Sequence, residues 1–104
     1  MTKTLQLIGM AKRSGRLIYG VGGIQAQSKS IELILLTSSA GMSVERVAQR
    51  IGNTACVRVL QMPCSNEDLG RAIGVGTCAV IGITDKGQAT NIQYQYEQEK
   101  RTAR

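Results

Sequence analysis

The chain has 104 residues, a formal net charge of +6 and no Phe, Trp or His. This length suits one domain with a single aliphatic core, and no apolar run reaches the roughly 18 residues of a membrane-spanning helix. Without His, neither a His-based nucleophilic pair nor a usual zinc site can be built. We find no signal peptide, and the unpaired spacing of Cys56, Cys64 and Cys78 predicts free thiols in a reducing cytoplasm.

Helical and extended patterns alternate in the first half of the chain. Thr2 or Thr4 can cap a first helix, with Lys12 and Arg13 in its last turn, where cations suit the helix dipole. The patterns then predict a helix end at Ser14-Gly15, an extended piece over residues 16–19, a weaker helix over about residues 21–30 and a strand over residues 31–36. Residues 33–36 are wholly apolar, which is typical of a strand buried on both faces.

The second half continues the alternation. Ser43 can cap a third helix with apolar residues at i, i+3, i+4 and i+7, and Gly52-Asn53 is expected to end it. A third strand is predicted over residues 57–60, and Asp85-Lys-Gly87 is a turn that can start a last helix running through Tyr96.

The segment from Met62 to Thr84 is the most informative part of the sequence. Pro63 ends the preceding strand, and Ser65 with Asp68 resembles a capping box for a short fourth helix. Gly74 and Gly76 stop this helix and leave a loop with bare backbone. The apolar residues 78–83 then predict a fourth, buried strand.

These elements predict an α/β fold, a three-layer α/β/α sandwich around a mixed sheet of about four strands. We expect a single domain over residues 1–97 and a polar, basic tail over residues 98–104.

Basic residues are concentrated at the two ends of the chain. Residues 1–31 contain five basic and no acidic side chains, residues 32–99 contain five basic and seven acidic ones, and residues 100–104 add three basic ones. A one-sided basic surface on a small domain favours nucleic acid or another polyanion as the partner.

Enzyme functions find no support in the sequence. No nucleophile has a recognisable base, and no acidic pair lies in an apolar setting that would separate two carboxyl pKa values. The run Gly20-Val-Gly-Gly23 is a fragment of a dinucleotide fingerprint, but Gln25 stands where the third glycine is required. We therefore expect no catalysis, no metal and no cofactor.

The glycines suggest a binding surface instead. Gly20, Gly22 and Gly23 open one helix, and Gly74 and Gly76 end another, and the two loops should meet at one end of the sandwich. Exposed backbone amides next to Lys12 and Arg16 would bind phosphates without any catalytic group.

Three segments carry a resemblance to a known family. These are residues 9–20 (GMAKRSGRLIYG), the strand 33–36, and LGRAIG at 69–74 leading into residues 79–85. Over roughly residues 3–92 they resemble the kink-turn-RNA-binding ribosomal protein family, and its bacterial YlxQ-type members most closely. The resemblance implies a cytoplasmic, ribosome-associated protein that binds ribosomal or other structured RNA at a sharp bend in a stem.

The resemblance also implies which residues would contact RNA. In that family the start of the second helix enters the widened groove beside the bend, and the loop after the fourth helix packs on an extruded base. The positions carried over, with the neighbouring basic residues, are Lys12, Arg13, Arg16, Gly20, Val21, Gly22, Gly23, Ala26, Lys29, Val75, Gly76, Thr77 and Cys78. Gly22, Gly23 and Ala26 replace polar side chains of the family, so we expect backbone and phosphate contacts rather than base-edge hydrogen bonds.

Two other functions remain open from the sequence. The same fold can serve as a protein-interaction module, with a surface around Met42 and Met62, or it can bind a small phosphorylated ligand at residues 20–23. Tyr94 and Tyr96 either stack on bases or pack in the core, and packing is the expected role.

Overall fold

The computed structural model describes residues 1–102 and contains a four-stranded sheet between two layers of helices. In chain order the elements are α1 (Thr2–Arg13), β1 (Leu17–Tyr19), α2 (Gly20–Ala26), β2 (Leu33–Thr37), α3 (Met42–Ala55), β3 (Val59–Met62), α4 (Asn66–Ile73), β4 (Val80–Ile83) and α5 (Lys86–Thr102), with a 3-10 turn at Ser28–Ser30. The predicted three-layer α/β/α class with a four-stranded mixed sheet is confirmed.

The two most apolar strands lie in the centre of the sheet, whose order is β1-β4-β2-β3. Strand β4 is antiparallel to both of its neighbours, whereas β2 and β3 are parallel. All five residues of β2 and all four of β4 are buried. The prediction that residues 33–36 form a strand covered on both faces is confirmed.

Two cores lie on opposite faces of the sheet. The larger core is formed by residues of α1, α4 and α5 with one face of the strands, among them Ile8, Leu35, Leu69, Ile81 and Ile92. The smaller core includes Ile24 of α2 and Ala48 and Ile51 of α3, packed against Ile34 and Leu36. The layers are therefore α1, α4 and α5 on one side and α2 and α3 on the other.

The strand directions bring most of the connecting loops to one end of the sheet. Strands β1, β2 and β3 end there and β4 begins there, because Tyr19 pairs with Ile81, Leu36 with Val80 and Thr37 with Met62. We call this end, where residues 20, 38–41, 63–65 and 78 lie, the glycine end. Helices α2, α3 and α4 all start at it.

Helix α3 does not end where the sequence predicted. It continues through Gly52 and Asn53 to Ala55, and Cys56 adopts the left-handed conformation with φ 57°. A Cβ at Gly52 would lie 2.6 Å from Val59 Cγ2, so this glycine allows α3 to pack against β3. The predicted helix end was wrong because the glycine has a packing role rather than a capping role.

Met62 and Tyr96, for which the sequence left two roles open, are both buried. Met62 is fully buried in the larger core, so the predicted protein-binding surface cannot include it, although Met42 is exposed. Tyr96 packs in the same core and its hydroxyl donates to the carbonyl of Gln61 at 2.7 Å, as expected of a packing residue. Tyr94 is exposed.

Helix α5 reaches beyond the expected start of the tail. It runs to Thr102, so residues 98–102 are helical, and the last two residues of the predicted tail lie outside the described part of the chain. Within the added turns, Glu99 reaches the start of α1. Neither Thr2 nor Thr4 acts as the cap residue of α1, because the N-cap position is Met1.

Glu99 caps α1 from the other end of the chain. Its carboxylate accepts hydrogen bonds from the backbone N–H groups of Lys3 (3.1 Å) and Thr4 (2.8 Å) and from the Thr4 hydroxyl. Burial works against the ionised form, but these hydrogen bonds outweigh it and hold the pKa of Glu99 below its ordinary value. The negative charge also suits the positive end of the helix dipole.

This contact predicts a pH-dependent contribution to stability. A carboxyl group with a lowered folded-state pKa stabilises the protein above its unfolded pKa of about 4.3, and the contribution is lost as the pH falls through the folded-state pKa. We expect Glu99→Gln to lower the free energy of unfolding by about 1 kcal/mol at pH 7, measured by urea denaturation, because a charged cap is lost. At pH 3 the difference from the unchanged protein should be smaller.

The matched control is Glu97→Gln on the same helix. Glu97 lies 3.7 Å from Arg58 in an exposed ion pair, and such pairs contribute little to stability. An equal effect of the two substitutions at pH 7, or a Glu99→Gln effect that grows on acidification, would contradict the capping role.

Candidate nucleic-acid interface

The two glycine-containing segments of the sequence meet at the glycine end. The first segment is residues 20–23, at the start of α2, and the second is residues 74–78, between α4 and β4. They are brought together because β1 and β4 are antiparallel neighbours, with Tyr19 opposite Ile81. The Gly20 backbone lies close enough to Cys78 to influence the pKa of its thiol, so the two segments are neighbours.

The first segment exposes backbone because of its residue types. Gly20 has φ +82°, a left-handed conformation that L side chains rarely adopt, and it turns the chain from β1 directly into α2. A Cβ at Gly22 would meet nothing within 4 Å, so the surface beside it is open. Val21 is half-buried against the smaller core and fixes the segment to the domain.

The second segment returns along α4 toward the sheet. Gly74 ends α4 in the left-handed conformation with φ 81°, as the sequence predicted, and the Val75 N–H donates to the Gly70 carbonyl at 2.8 Å. Gly76 and Thr77 are exposed. This path requires a glycine at position 70, because a Cβ there would lie 2.5 Å from the Gly76 carbonyl oxygen and 2.7 Å from Thr77 Cα.

Asn66 joins the loop before β4, the end of β2 and the loop after β2 at the same place. Its carbonyl accepts from the Cys78 N–H (3.0 Å), its N–H donates to the Ser39 hydroxyl (3.1 Å), and the buried Thr37 hydroxyl donates to its side-chain oxygen. Ser65 and Asp68 form the predicted capping box of α4 beside it. The second segment is therefore held by backbone hydrogen bonds at both of its ends.

The cysteines of this region are structural. Burial raises the pKa values of the Cys64 and Cys78 thiols above the ordinary value, which keeps both thiols neutral and unreactive near pH 7. All three cysteines are free, and Cys56 alone of them is exposed. Cys78 was predicted as an RNA contact, and the structure places its side chain inside the domain, where the thiol donates to the Val80 carbonyl at 3.2 Å.

Of the two basic residues in the last turn of α1, Lys12 reaches the glycine end with its side chain, whereas Arg13 lies against α4. The Lys12 amine lies 6.0 Å from the centroid of the Tyr19 ring, which directly precedes Gly20 and is 46% exposed. The Arg13 guanidinium lies beside Gly9, where α1 contacts the backbone of Ala72. An open groove of about 570 Å³ between α1 and α4 contains Arg13 and Arg71.

Three further predicted contact residues lie away from the glycine end. Arg16 precedes β1 at the opposite end of the sheet, and its guanidinium forms an ion pair with Asp85 at 2.9 Å. Ala26 ends α2 and Lys29 lies in the 3-10 turn that follows it, so both are separated from Gly20 by the length of α2. The structure thus brings Lys12 to the glycine end, places Arg13 in the groove between α1 and α4, and separates Arg16, Ala26 and Lys29 from both.

Sequence reasoning missed three residues of this region. No role at this surface was predicted from the sequence for Tyr19, Asn66 or Gly70. The sequence carried a signal for Tyr19, which is an aromatic residue directly before a glycine run. It carried none for Gly70, because only the path of residues 75–77 in space shows why a side chain is excluded there.

Residues 1–102 show neither a candidate metal site nor a membrane-spanning helix. The described side chains include no group of three or more Cys, Asp or Glu residues placed to hold a metal ion. In the same range, no helix has the length and apolar character needed to cross a membrane.

Comparisons with known proteins support the fold. No protein-family model matches the sequence, and no curated protein matches it significantly. Among solved structures, a protein of unknown function from Bacillus halodurans has a TM-score of 0.84 and 24% identity, covering 93% of this chain and 99% of that one. The 15.5kD RNA binding protein of Giardia lamblia has a TM-score of 0.71 and 19% identity, covering 90% of this chain and 84% of that one.

The close approach at Gly70 predicts a local effect of a single methyl group. We expect Gly70→Ala to lower the free energy of unfolding by about 1–3 kcal/mol, since backbone atoms of residues 76 and 77 must move to admit the Cβ. Chemical denaturation measures the loss. Gly22→Ala is the matched control, because its Cβ meets no atom, and alanine in a helix is no less favourable than glycine. Equal stability of the two variants would disprove the packing argument.

Proposed function

We propose that this chain is a non-catalytic RNA-binding protein that contacts a bent, kink-turn-like stem with its glycine end. The observation that carries the proposal is that the antiparallel pairing of β1 with β4 makes the two glycine segments neighbours at one end of the sheet, where Lys12 also reaches Tyr19. Bare backbone at Gly22 and Gly76 lets a nucleic-acid strand approach closely.

The chemistry of this surface favours recognition of RNA shape. Lys12 and Arg13 supply positive charge for phosphates, and exposed backbone N–H groups supply hydrogen-bond donors. The exposed part of the two glycine segments is mainly backbone, which cannot discriminate base edges as a set of polar side chains does. RNA helices are commonly recognised by shape, phosphates and 2′-hydroxyl groups, and a sharp bend offers such a shape.

Two independent findings support RNA as the partner. The positive charge is segregated in the sequence, with five basic and no acidic residues in positions 1–31. The fold is similar over 90% of the chain to that of a Giardia protein described as RNA binding. We also propose a cytoplasmic, ribosome-associated location, because all three cysteines are free and the sequence resembles the YlxQ-type proteins.

The experiment that tests the function compares two RNAs of equal length, a kink-turn hairpin and a straight duplex, by fluorescence anisotropy at two salt concentrations. If the glycine end reads the bend, the preference for the kink-turn persists at the higher salt, because shape-dependent contacts do not depend on counterion release alone. Equal affinity for both RNAs at the higher salt would contradict recognition of the bend, and no binding to either would contradict the proposed function.

The double variant Lys12→Gln/Arg13→Gln belongs in the same experiment. Loss of two phosphate contacts should reduce the slope of log affinity against log salt by about 0.7 to 0.9 for each contact. The control Lys86→Gln/Arg101→Gln removes the same charge from exposed positions of α5. An equal effect of both double variants would show a general charge effect and would contradict a site beside the glycine end.

A further inference from the structure

Helices α2 and α3 form a groove on the face of the sheet opposite to Lys12 and Arg13. Both helices start at the glycine end, pack together on the smaller core and lead away from that end. Between them lies an open groove of about 280 Å³. We call it the α2–α3 groove, and its lining residues are Gln25, Ser28, Arg50, Ile51, Thr54 and Ala55.

Three cations border this groove or lie next to it. Arg46 and Arg50 are exposed and one helical turn apart on α3. Lys29 is exposed in the 3-10 turn, whose residues pack against α3. Two like charges at i and i+4 destabilise a helix by a few tenths of a kcal/mol, so the arrangement does not serve the stability of α3.

Unlike three other exposed cations of the domain, these cations have no carboxylate partner among the described residues. Arg16, Arg58 and Arg71 each form an ion pair, with Asp85, Glu97 and Asp68 respectively. Lys29, Arg46 and Arg50 form none within the part of the chain that the structure describes. Their positive potential is therefore available to an external anion, and Gln25, Ser28 and Thr54 place polar side chains along the same groove.

We propose that the α2–α3 groove binds the sugar-phosphate backbone of one stem of the RNA as that stem leaves the glycine end. The proposal rests on the proposed function, since the strand enters the groove from the glycine end. It adds a second contact surface, so that the RNA is held by α1 on one face of the sheet and by α3 on the other. Repeating anionic charge is the ligand chemistry that cations spaced along a groove fit best.

The test uses the kink-turn hairpin, the straight duplex and the double variant Arg46→Gln/Arg50→Gln. The salt slope for the hairpin should fall by about 0.7 to 0.9 for each lost phosphate contact. Arg46→Lys/Arg50→Lys should keep the slope, because it keeps both charges. Thermal unfolding of the Gln variant serves as the folding control, and we expect no loss of stability since a like-charge pair is removed.

A second arm locates the contact on the RNA. It uses hairpins in which a single stem is shortened. For one of these hairpins, the Gln variant and the unchanged protein should bind with the same affinity, because that RNA no longer reaches the groove. A Gln variant with an unchanged salt slope, while Lys12→Gln/Arg13→Gln lowers it, would overturn the second surface and leave the proposed function intact. Absence of RNA binding by the unchanged protein would overturn both.

Discussion

The structure of the glycine end depends on how closely residues 75–78 lie against α4. This contact leaves no space for a side chain at position 70, and it is fixed by hydrogen bonds from the Val75 N–H to the Gly70 carbonyl and from the Cys78 N–H to the Asn66 carbonyl. Asn66 also binds Thr37 and Ser39. One residue at the start of α4 therefore positions the second glycine segment relative to β2 and the loop that follows it.

The sheet topology brings the two glycine segments together at one end of the domain. Because β4 is antiparallel to β1, the start of β4 lies beside the end of β1, and the two glycine segments become neighbours although they are more than 50 residues apart in sequence. The same topology sends α2 and α3 away from the glycine end on one face of the sheet, while α1 brings Lys12 to Tyr19 on the other. Exposed backbone of the glycine segments therefore lies between Lys12 on one face of the sheet and α3, with Arg46 and Arg50, on the other.

The sequence predicted features that depend on neighbouring residues and missed those that depend on distant ones. The capping box of Ser65 and Asp68, the helix end at Gly74 and the buried strand at residues 33–36 were visible because each is a local pattern. The cap of α1 by Glu99 and the ion pair of Arg16 with Asp85 join residues 69 or more positions apart. The packing roles of Gly52 and Gly70 could not be predicted for the same reason, since the sequence does not distinguish a glycine required for packing from one required for a turn.

The central claim is that RNA contacts both glycine segments at once, and an NMR titration of the ¹⁵N-labelled protein with the kink-turn hairpin tests it most directly. The account predicts that the backbone amide signals of residues 20–23 and 76–77 shift with the same dependence on RNA concentration, because the two segments form one surface. Shifts confined to basic side-chain positions elsewhere, with the signals of both glycine segments unchanged, would contradict it.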